Sequence, residues 1–262
     1  MKFGIGQPVR RREDVRLVTG RGQFTDDLVI ENQLYAAFVR SPHAHAKIGT
    51  IDTAEARALP GVVEILTHAD IVGAPTMPIL ARNKNRDGSA ITATPKALLP
   101  ADKARFCGEA VAMVIATSVA CARDAVELVE IDYEALPAVA NSEEAKTGEQ
   151  IWDELPGNVA LDWVDGDEEA TTLAFAKAAK AVSLDLVQNR VVPAPMEPRA
   201  ALGDYDELMG RYTLRTCSGR GVPMTRERLA TVLDVPLEQT YMISGDMGGN
   251  YGTRNAFSPE YA

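Results

Sequence analysis

The chain has 262 residues, 46% of them hydrophobic, and a formal net charge of −10. That length supplies one large or two ordinary domains with a proper core. The negative balance argues against nucleic acid, whose phosphates would be repelled, and against an anionic membrane surface.

Residues 1–19 read as an irregular polar arm. Arg10, Arg11 and Arg12 precede no apolar stretch, so the arm reads as solvated and basic rather than as a secretory signal. Val18 to Asp27 is a turn-rich entry. Leu34 to Arg40 has the composition of a strand and ends at Ser41-Pro42. Asp52 with Glu55 three residues on is a capping-box pattern. It predicts a short helix, Thr53 to Leu59, stopped by Pro60-Gly61. Val62 to Thr67 is the next predicted strand, and the Pro-, Gly-, Asn- and Thr-rich stretch 71–99 reads as a long surface loop. Gly108 to Ala116 is a largely apolar strand. The apolar run around Ala110 to Ala122 falls short of the ~20 residues that a membrane-spanning helix needs. Ser118 is placed to cap a helix, Val119 to Val129, in which Ala122, Val126 and Val129 share one face. Glu130 to Glu134 follows as a strand. Strands and short helices thus alternate over 20–140, which predicts an α+β domain.

Residues 141–168 are acidic and polar and read as a surface linker, anchored by Trp152 and Trp163. Residues 170–180 are alanine-rich and helical. Val182 to Val187 alternates with period two and predicts a strand. Val191 to Pro198 is proline-locked and extended, Arg211 to Thr216 is a strand, and Met224 to Leu233 is a helix. The buried strand Thr240 to Ser244 leads into Gly245-Asp-Met-Gly-Gly-Asn-Tyr-Gly-Thr-Arg254. Glycine permits positive φ and close approach of a ligand to the main chain, and successive N–H groups in such a turn converge on anions. A glycine-rich hairpin that binds nothing has the same spacing. The loop is neither a dinucleotide fingerprint nor a P-loop.

Several side chains have two readings each. His43 and His45 are two apart and suit either one face of a metal site or, more simply, a turn with two ordinary histidines. His68 stands at a helix start. Glu197, flanked by prolines, suits an acid or base, or a residue that fixes its own loop through an arginine such as Arg199. Cys217 suits a cofactor-facing position or inert packing. Arg254 suits a phosphate fork or the surface. Cys107, Cys121 and Cys217 form no C-x-x-C, so they cannot assemble an iron–sulfur or zinc site by themselves. A sparse, odd count suits a reducing compartment, and the cytoplasm is the expected location.

A set of ordered segments resembles the molybdenum-cofactor subunit of the xanthine dehydrogenase, aldehyde oxidase and aerobic carbon monoxide dehydrogenase family. They are Gly4 to Arg11, Leu34 to His45 with Arg40-Ser-Pro-His-Ala-His45, Asp102 to Ile115, Leu155 to Asn158, Asn189 to Arg199 and Asp246 to Arg254. The pairing of Met196-Glu-Pro-Arg199 with the glycine loop some fifty residues later is the specific part. The resemblance implies an α+β fold, with a hammerhead domain over 20–140 followed by the first part of the molybdopterin-binding domain over 169–262. It implies that Gly248, Gly249, Asn250, Tyr251 and Gly252 contact a molybdenum–molybdopterin cofactor in its cytosine dinucleotide form, with the Tyr251 ring near the metal. No protein metal ligand is implied, because pterin sulfurs hold the molybdenum. The implied activity is oxidation of an aldehyde or N-heteroaromatic small molecule with water-derived oxygen. Electrons would pass to an iron–sulfur small subunit and an FAD medium subunit.

Three departures are visible. Where many members carry a glutamine contacting a molybdenum oxo group, this chain has Gly219 or Arg220. Where purine-oxidising members carry a glutamate past the loop, it has Asn255. The family's catalytic base belongs to a C-terminal half beyond these residues, so the chain is expected to need that half, and to expose apolar surface where it docks. A non-catalytic docking module that keeps the hammerhead domain is the alternative.

Overall fold

The structure, a computed structural model, describes residues 5–6, 8–77, 79, 81–92, 94, 96–189 and 191–262. Gly4, Gln7 and Arg190 of the family-like segments, and Pro78, Leu80, Ala93 and Pro95 of the predicted loop, lie outside the described residues. The chain divides into two compact units, residues 34–192 and residues 1–33 with 193–262. The arm is not wholly irregular, because Asp14–Val18 forms a short helix, α1, in the second of these.

The 34–192 unit runs β1 (Tyr35–Arg40), β2 (Ala46–Asp52), α2 (Ala54–Ala58), β3 (Val62–Leu66), β4 (Lys103–Ala104), β5 (Ala110–Ala116), α3 (Val119–Glu127) and β6 (Glu130–Ala135). Two three-stranded antiparallel sheets result, in the orders β1-β5-β3 and β4-β2-β6. β5 is central in its sheet, which explains its almost unbroken apolar sequence. Val39, Ala56, Ile65, Ala112, Val114, Ala125 and Val129 form the core. Full burial of a Val or Ile side chain contributes about 1.5–3 kcal/mol. Ser118 caps α3 as its sequence predicts, its Oγ accepting from Cys121 N at 3.2 Å. Asp52 Oδ1 accepts from Ala54 N at 2.9 Å, which starts α2.

β2 has no clear sequence signal. Gly49 interrupts its alternation, and a Cβ there would stand 3.2 Å from Asp132 O, so the strand needs the bare backbone where its register with β6 shifts. The 71–99 loop folds back on itself through two isolated bridges, Met77 to Lys96 and Lys84 to Ala90.

Farther along lie α4 (Ser142–Ala145) and α5 (Glu168–Lys177), capped by Asn141 and Asp167. Only one tryptophan anchors the linker. Arg105 stacks 4.2 Å above the Trp152 ring, whereas Trp163 is 55% exposed. α5 buries no residue. Val182 to Val187, predicted as a strand, pairs with nothing among the described residues.

The other unit has β7 (Ala201–Asp206), β8 (Arg211–Thr216), α6 (Val222–Leu233) and β9 (Thr240–Ile243) in one sheet ordered β7-β8-β9. β7 and β8 are antiparallel, and β8 and β9 are parallel across the α6 crossover. Leu214, Leu229, Val232 and Met242 are buried. The parallel pairing sets Arg215 beside Ile243, so the segments leaving β8 and β9 emerge at one edge. In open α/β sheets the carboxyl ends of parallel strands are where ligands bind.

Candidate functional site

Three segments meet at that edge: the turn after β8 (217–220), the glycine loop after β9 (244–255) and the proline-flanked stretch around Glu197. Glu197 joins them. Its Oε2 accepts from Gly248 N at 2.8 Å, and its Oε1 from Thr25 N at 3.4 Å. Cys217 Sγ lies 3.2 Å from both carboxylate oxygens. Arg254 Nη2 stands 3.1 Å from Oε2. The same guanidinium donates to Gly249 O (2.7 Å) and to Glu197 O (2.5 Å). Both side chains of the pair are buried. A desolvated pair holds only when its remaining hydrogen-bonding capacity is also used, and these donors do that for Glu197. Arg254 Nη1 is buried with no acceptor among the described residues.

The partner of Glu197 is therefore Arg254, fifty-seven positions away, and not Arg199, which donates to Thr253 O at 2.9 Å. Nor is Arg254 a surface residue. Cys217 is more than packing, since its thiol points at a carboxylate. Burial pushes that thiol above its ordinary pKa, with the Glu197 charge adding to the rise.

Each glycine of the loop has its own reason. A Cβ on Gly248 would overlap Glu197 Cβ, so this glycine serves the close approach of Glu197. Gly249 has φ +116°, and Pro195 closes over it. Gly252 has φ +86°, with open space where a side chain would project. Tyr251 is itself left-handed, at φ +46°, and its side chain is 75% exposed. Asn250 turns inward, its Oδ1 accepting from Arg254 N at 3.1 Å and its Nδ2 donating to Asn255 Oδ1 at 3.2 Å. The backbone N–H groups of Gly249, Asn250, Tyr251 and Gly252 donate to no acceptor among the described residues. One side of the loop is thus clamped from within, while four consecutive amides stay available on a partly bare main chain.

The loop's entry is held from the arm. Arg16 pairs with the Asp246 carboxylate, its Nη2 2.6 Å from Oδ1, and Gln23 N donates to Oδ2 at 2.8 Å. The Arg16 hydrogen bond, then the Gln23 amide, hold the Asp246 carboxyl below the usual carboxylate range. Thr25, Arg16 and Gln23 carry no sequence signal for this role, since nothing local links them to residues 172 or more positions away.

Gly219 decides one departure. A Cβ there would stand 2.6 Å from the Asn250 carboxamide and overlap Asn255, so a side chain at position 219 would have to displace both carboxamides. Arg220 is exposed and reaches toward Met224. Neither supplies an inward carboxamide; Asn250 and Asn255 fill that space. No group of three or more His, Cys, Asp or Glu among the described residues is placed to hold a metal ion. His45 is buried, its Nδ1 3.0 Å from Pro137 O, and the His43 ring lies 5.1 Å from that of Tyr133.

Residues 19–137 match the family model described as the aldehyde oxidase and xanthine dehydrogenase a/b hammerhead domain, and residues 151–262 match the molybdopterin cofactor-binding domain. The chain belongs to the aldehyde oxidase and xanthine dehydrogenase family. Its α+β fold is the hammerhead domain followed by molybdopterin-binding sequence. It is 34% identical to the carbon monoxide dehydrogenase large chain of Afipia carboxidovorans, over 96% of this chain and 32% of that one. It is 36% identical to the nicotine 6-hydroxylase large subunit of Paenarthrobacter nicotinovorans, over 98% and 31%. The solved quinoline 2-oxidoreductase of Pseudomonas putida 86 superposes with a TM-score of 0.84 at 36% identity, over all of this chain and 33% of that one. The chain spans about a third of the length of the curated relatives it matches.

Proposed function

We propose that this chain forms the hammerhead and first cofactor-binding segments of a molybdenum hydroxylase that oxidises an aldehyde or N-heteroaromatic small molecule. The observation that carries it is the run of amides from Gly249 to Gly252 with no acceptor among the described residues, on a loop whose other side is locked by Glu197 and Arg254. Within this reading the hammerhead domain covers 20–140 and the cofactor-binding segment 169–262. Gly248 to Gly252 line the cofactor, with Gly249 to Gly252 lending amide hydrogens and Tyr251 lending a ring to exclude water. The cofactor, a molybdenum–molybdopterin in cytosine dinucleotide form, supplies activation of a water-derived oxygen. The chain's own residues position it. Glu197 and Arg254 hold the loop, and Asn250 and Asn255 set carboxamides beside Gly219.

The remaining length of the relatives supplies the base, and partner subunits with iron–sulfur clusters and FAD take the electrons. A cytoplasmic location suits three cysteines that form no disulfide. Denaturing the native assembly and assaying released pterin and molybdenum tests the reading. Both should appear in stoichiometric amount, and absence of both would refute it.

One observation favours a second reading, a docking module without catalysis. Position 219 has no side chain and Arg220 turns outward, so the family's usual carboxamide is missing from that turn. An assembly that retains pterin yet oxidises no aldehyde or heterocycle would favour it.

A further inference from the structure

Two cations converge at the start of α6 without a counter-charge. Arg228 is 6% exposed, and its guanidinium reaches back one helical turn, with Nη2 3.3 Å from Met224 Sδ and Nη1 2.9 Å from Asn255 O. Its Nε is buried with no acceptor among the described residues. Arg220, exposed in the turn before the helix, brings Nη1 to 3.9 Å from the same sulfur. Neither guanidinium forms an ion pair among the described residues. Burial, then the like charge of Arg220, lowers the Arg228 pKa, and only the charge of Glu227 opposes them. In a chain of formal net charge −10, a carboxylate is not missing here for want of acids. A buried cation without compensation is strongly destabilising, so the arrangement calls for an anion. The helix start favours one as well, because Gly221, its N-cap, has no side chain to satisfy the N–H groups of the first turn. Gly219 abuts Asn250 and Asn255, so this corner borders the glycine loop.

We propose that Arg220 and the first turn of α6 hold an oxyanion at the rim of the site, with Arg228 as the buried second charge, and that the substrate brings this oxyanion as a carboxylate. The inference rests on the reading of the chain as part of a molybdenum hydroxylase, and it narrows the substrate to an aldehyde or N-heteroaromatic ring that also bears an acid group. The planar guanidinium of Arg220 matches a carboxylate with two parallel hydrogen bonds. Arg220 is exposed, whereas Asn250 turns inward, so the ligand of Arg220 is the far end of the substrate and not the carbon that reacts. A phosphate of the cofactor has the same chemistry. An exposed arginine outside the 249–252 amide run suits a ligand that exchanges with solvent better than a resident one.

The native assembly, with the remaining polypeptide joined or separate, tests this. Isothermal titration should show benzoate binding at least about tenfold more tightly than neutral benzamide. Arg220→Gln should cut the benzoate affinity by about 10–100-fold, the worth of a charged hydrogen bond. Arg220→Lys should restore part of that loss, since it keeps the charge without the fork. In turnover, the ratio of kcat/KM for 4-carboxybenzaldehyde over benzaldehyde, or for quinoline-4-carboxylate over quinoline, should fall by a similar factor in Arg220→Gln, carried by KM. Equal binding of benzoate and benzamide, or a benzoate affinity that Arg220→Gln leaves unmoved, overturns the proposal. Loss of pterin from Arg220→Gln would make the cofactor's phosphate the anion, and loss of the remaining polypeptide would make it a carboxylate of that polypeptide; either result overturns the proposal. Pterin assayed in the parent assembly separates the two readings. Pterin without a preference for benzoate rejects the carboxylate anchor alone, and Arg220-dependent benzoate binding without pterin rejects the cofactor reading alone.

Discussion

Glu197 Oε2 stands 3.1 Å from Arg254 Nη2, and both side chains are shut off from solvent. The pair crosses from the proline-flanked segment to the glycine loop, so it fixes the position of one backbone against the other. Glu197→Ala leaves a buried guanidinium uncompensated and should lower stability by about 3–5 kcal/mol. Arg254→Lys should cost nearly as much, because a point charge cannot also reach Gly249 O and Glu197 O. Urea unfolding midpoints check both. A loss near zero for either would mean the pair does not hold the loop.

Gly248 and Gly252 should respond differently to alanine. At Gly248 the methyl meets Glu197, and overpacking typically costs about 1–3 kcal/mol, occasionally more. At Gly252 the methyl meets open space, and the cost is only the left-handed backbone, about 1–2 kcal/mol. Thermal melts should therefore rank Gly248→Ala below Gly252→Ala. Pterin retention should also fall with Gly248→Ala, since the amide it displaces is the one Glu197 holds. Equal melts would show that the two backbones are not in close approach.

Asp246 gives the acid limb a defined sign. Its folded pKa lies below that of an unfolded carboxyl, about 3.9, because Arg16 and the Gln23 amide favour the charged form. Its contribution is therefore fully present above pH ~4 and is lost as pH falls through the lower folded value. Asp246→Asn should melt below the parent protein at neutral pH, and the gap should close in acid. High salt should shrink the neutral-pH gap, since the Arg16 end of the pair is open to solvent. A gap constant across pH would rule out the charge as its source.

Much of the fold is legible in the sequence where burial imposes a pattern. β5 and β8 are apolar enough to be read directly, and Ser118 announces α3. β2 escapes because Gly49 and the register shift at Ile48 break its alternation. β7 escapes because Gly203 and Asp204 sit in an edge strand with one side open. Val182 to Val187 shows the converse. Its alternation is genuine, but alternation reports a surface to be covered and not the strand that covers it. At the site, glycine density marks the loop. The clamp is invisible, because a carboxylate beside prolines points to its neighbour Arg199 as readily as to Arg254. Asp246 likewise gives no hint of Arg16.

The three thiols should separate by reactivity, and the order tests the buried cluster. Cys107 is exposed, Cys121 is half-buried with its Sγ 3.3 Å from Pro60 O, and Cys217 is buried against Glu197. The thiolate is the reactive form. Burial and the adjacent carboxylate charge both oppose thiolate formation at Cys217, which leaves it protonated at neutral pH. A maleimide or disulfide reagent should therefore label Cys107 first and Cys217 only on unfolding, as mass spectrometry of the labelled peptides would show. Raising the pH from neutral toward 9 should leave Cys217 silent. Glu197→Gln removes the carboxylate charge while keeping the shape and the burial, so Cys217 should still be labelled only on unfolding, but at a lower urea concentration than in the parent protein. Labelling of Cys217 as fast as Cys107 in the parent protein would mean that the thiol, and with it the Glu197 clamp, is open to solvent.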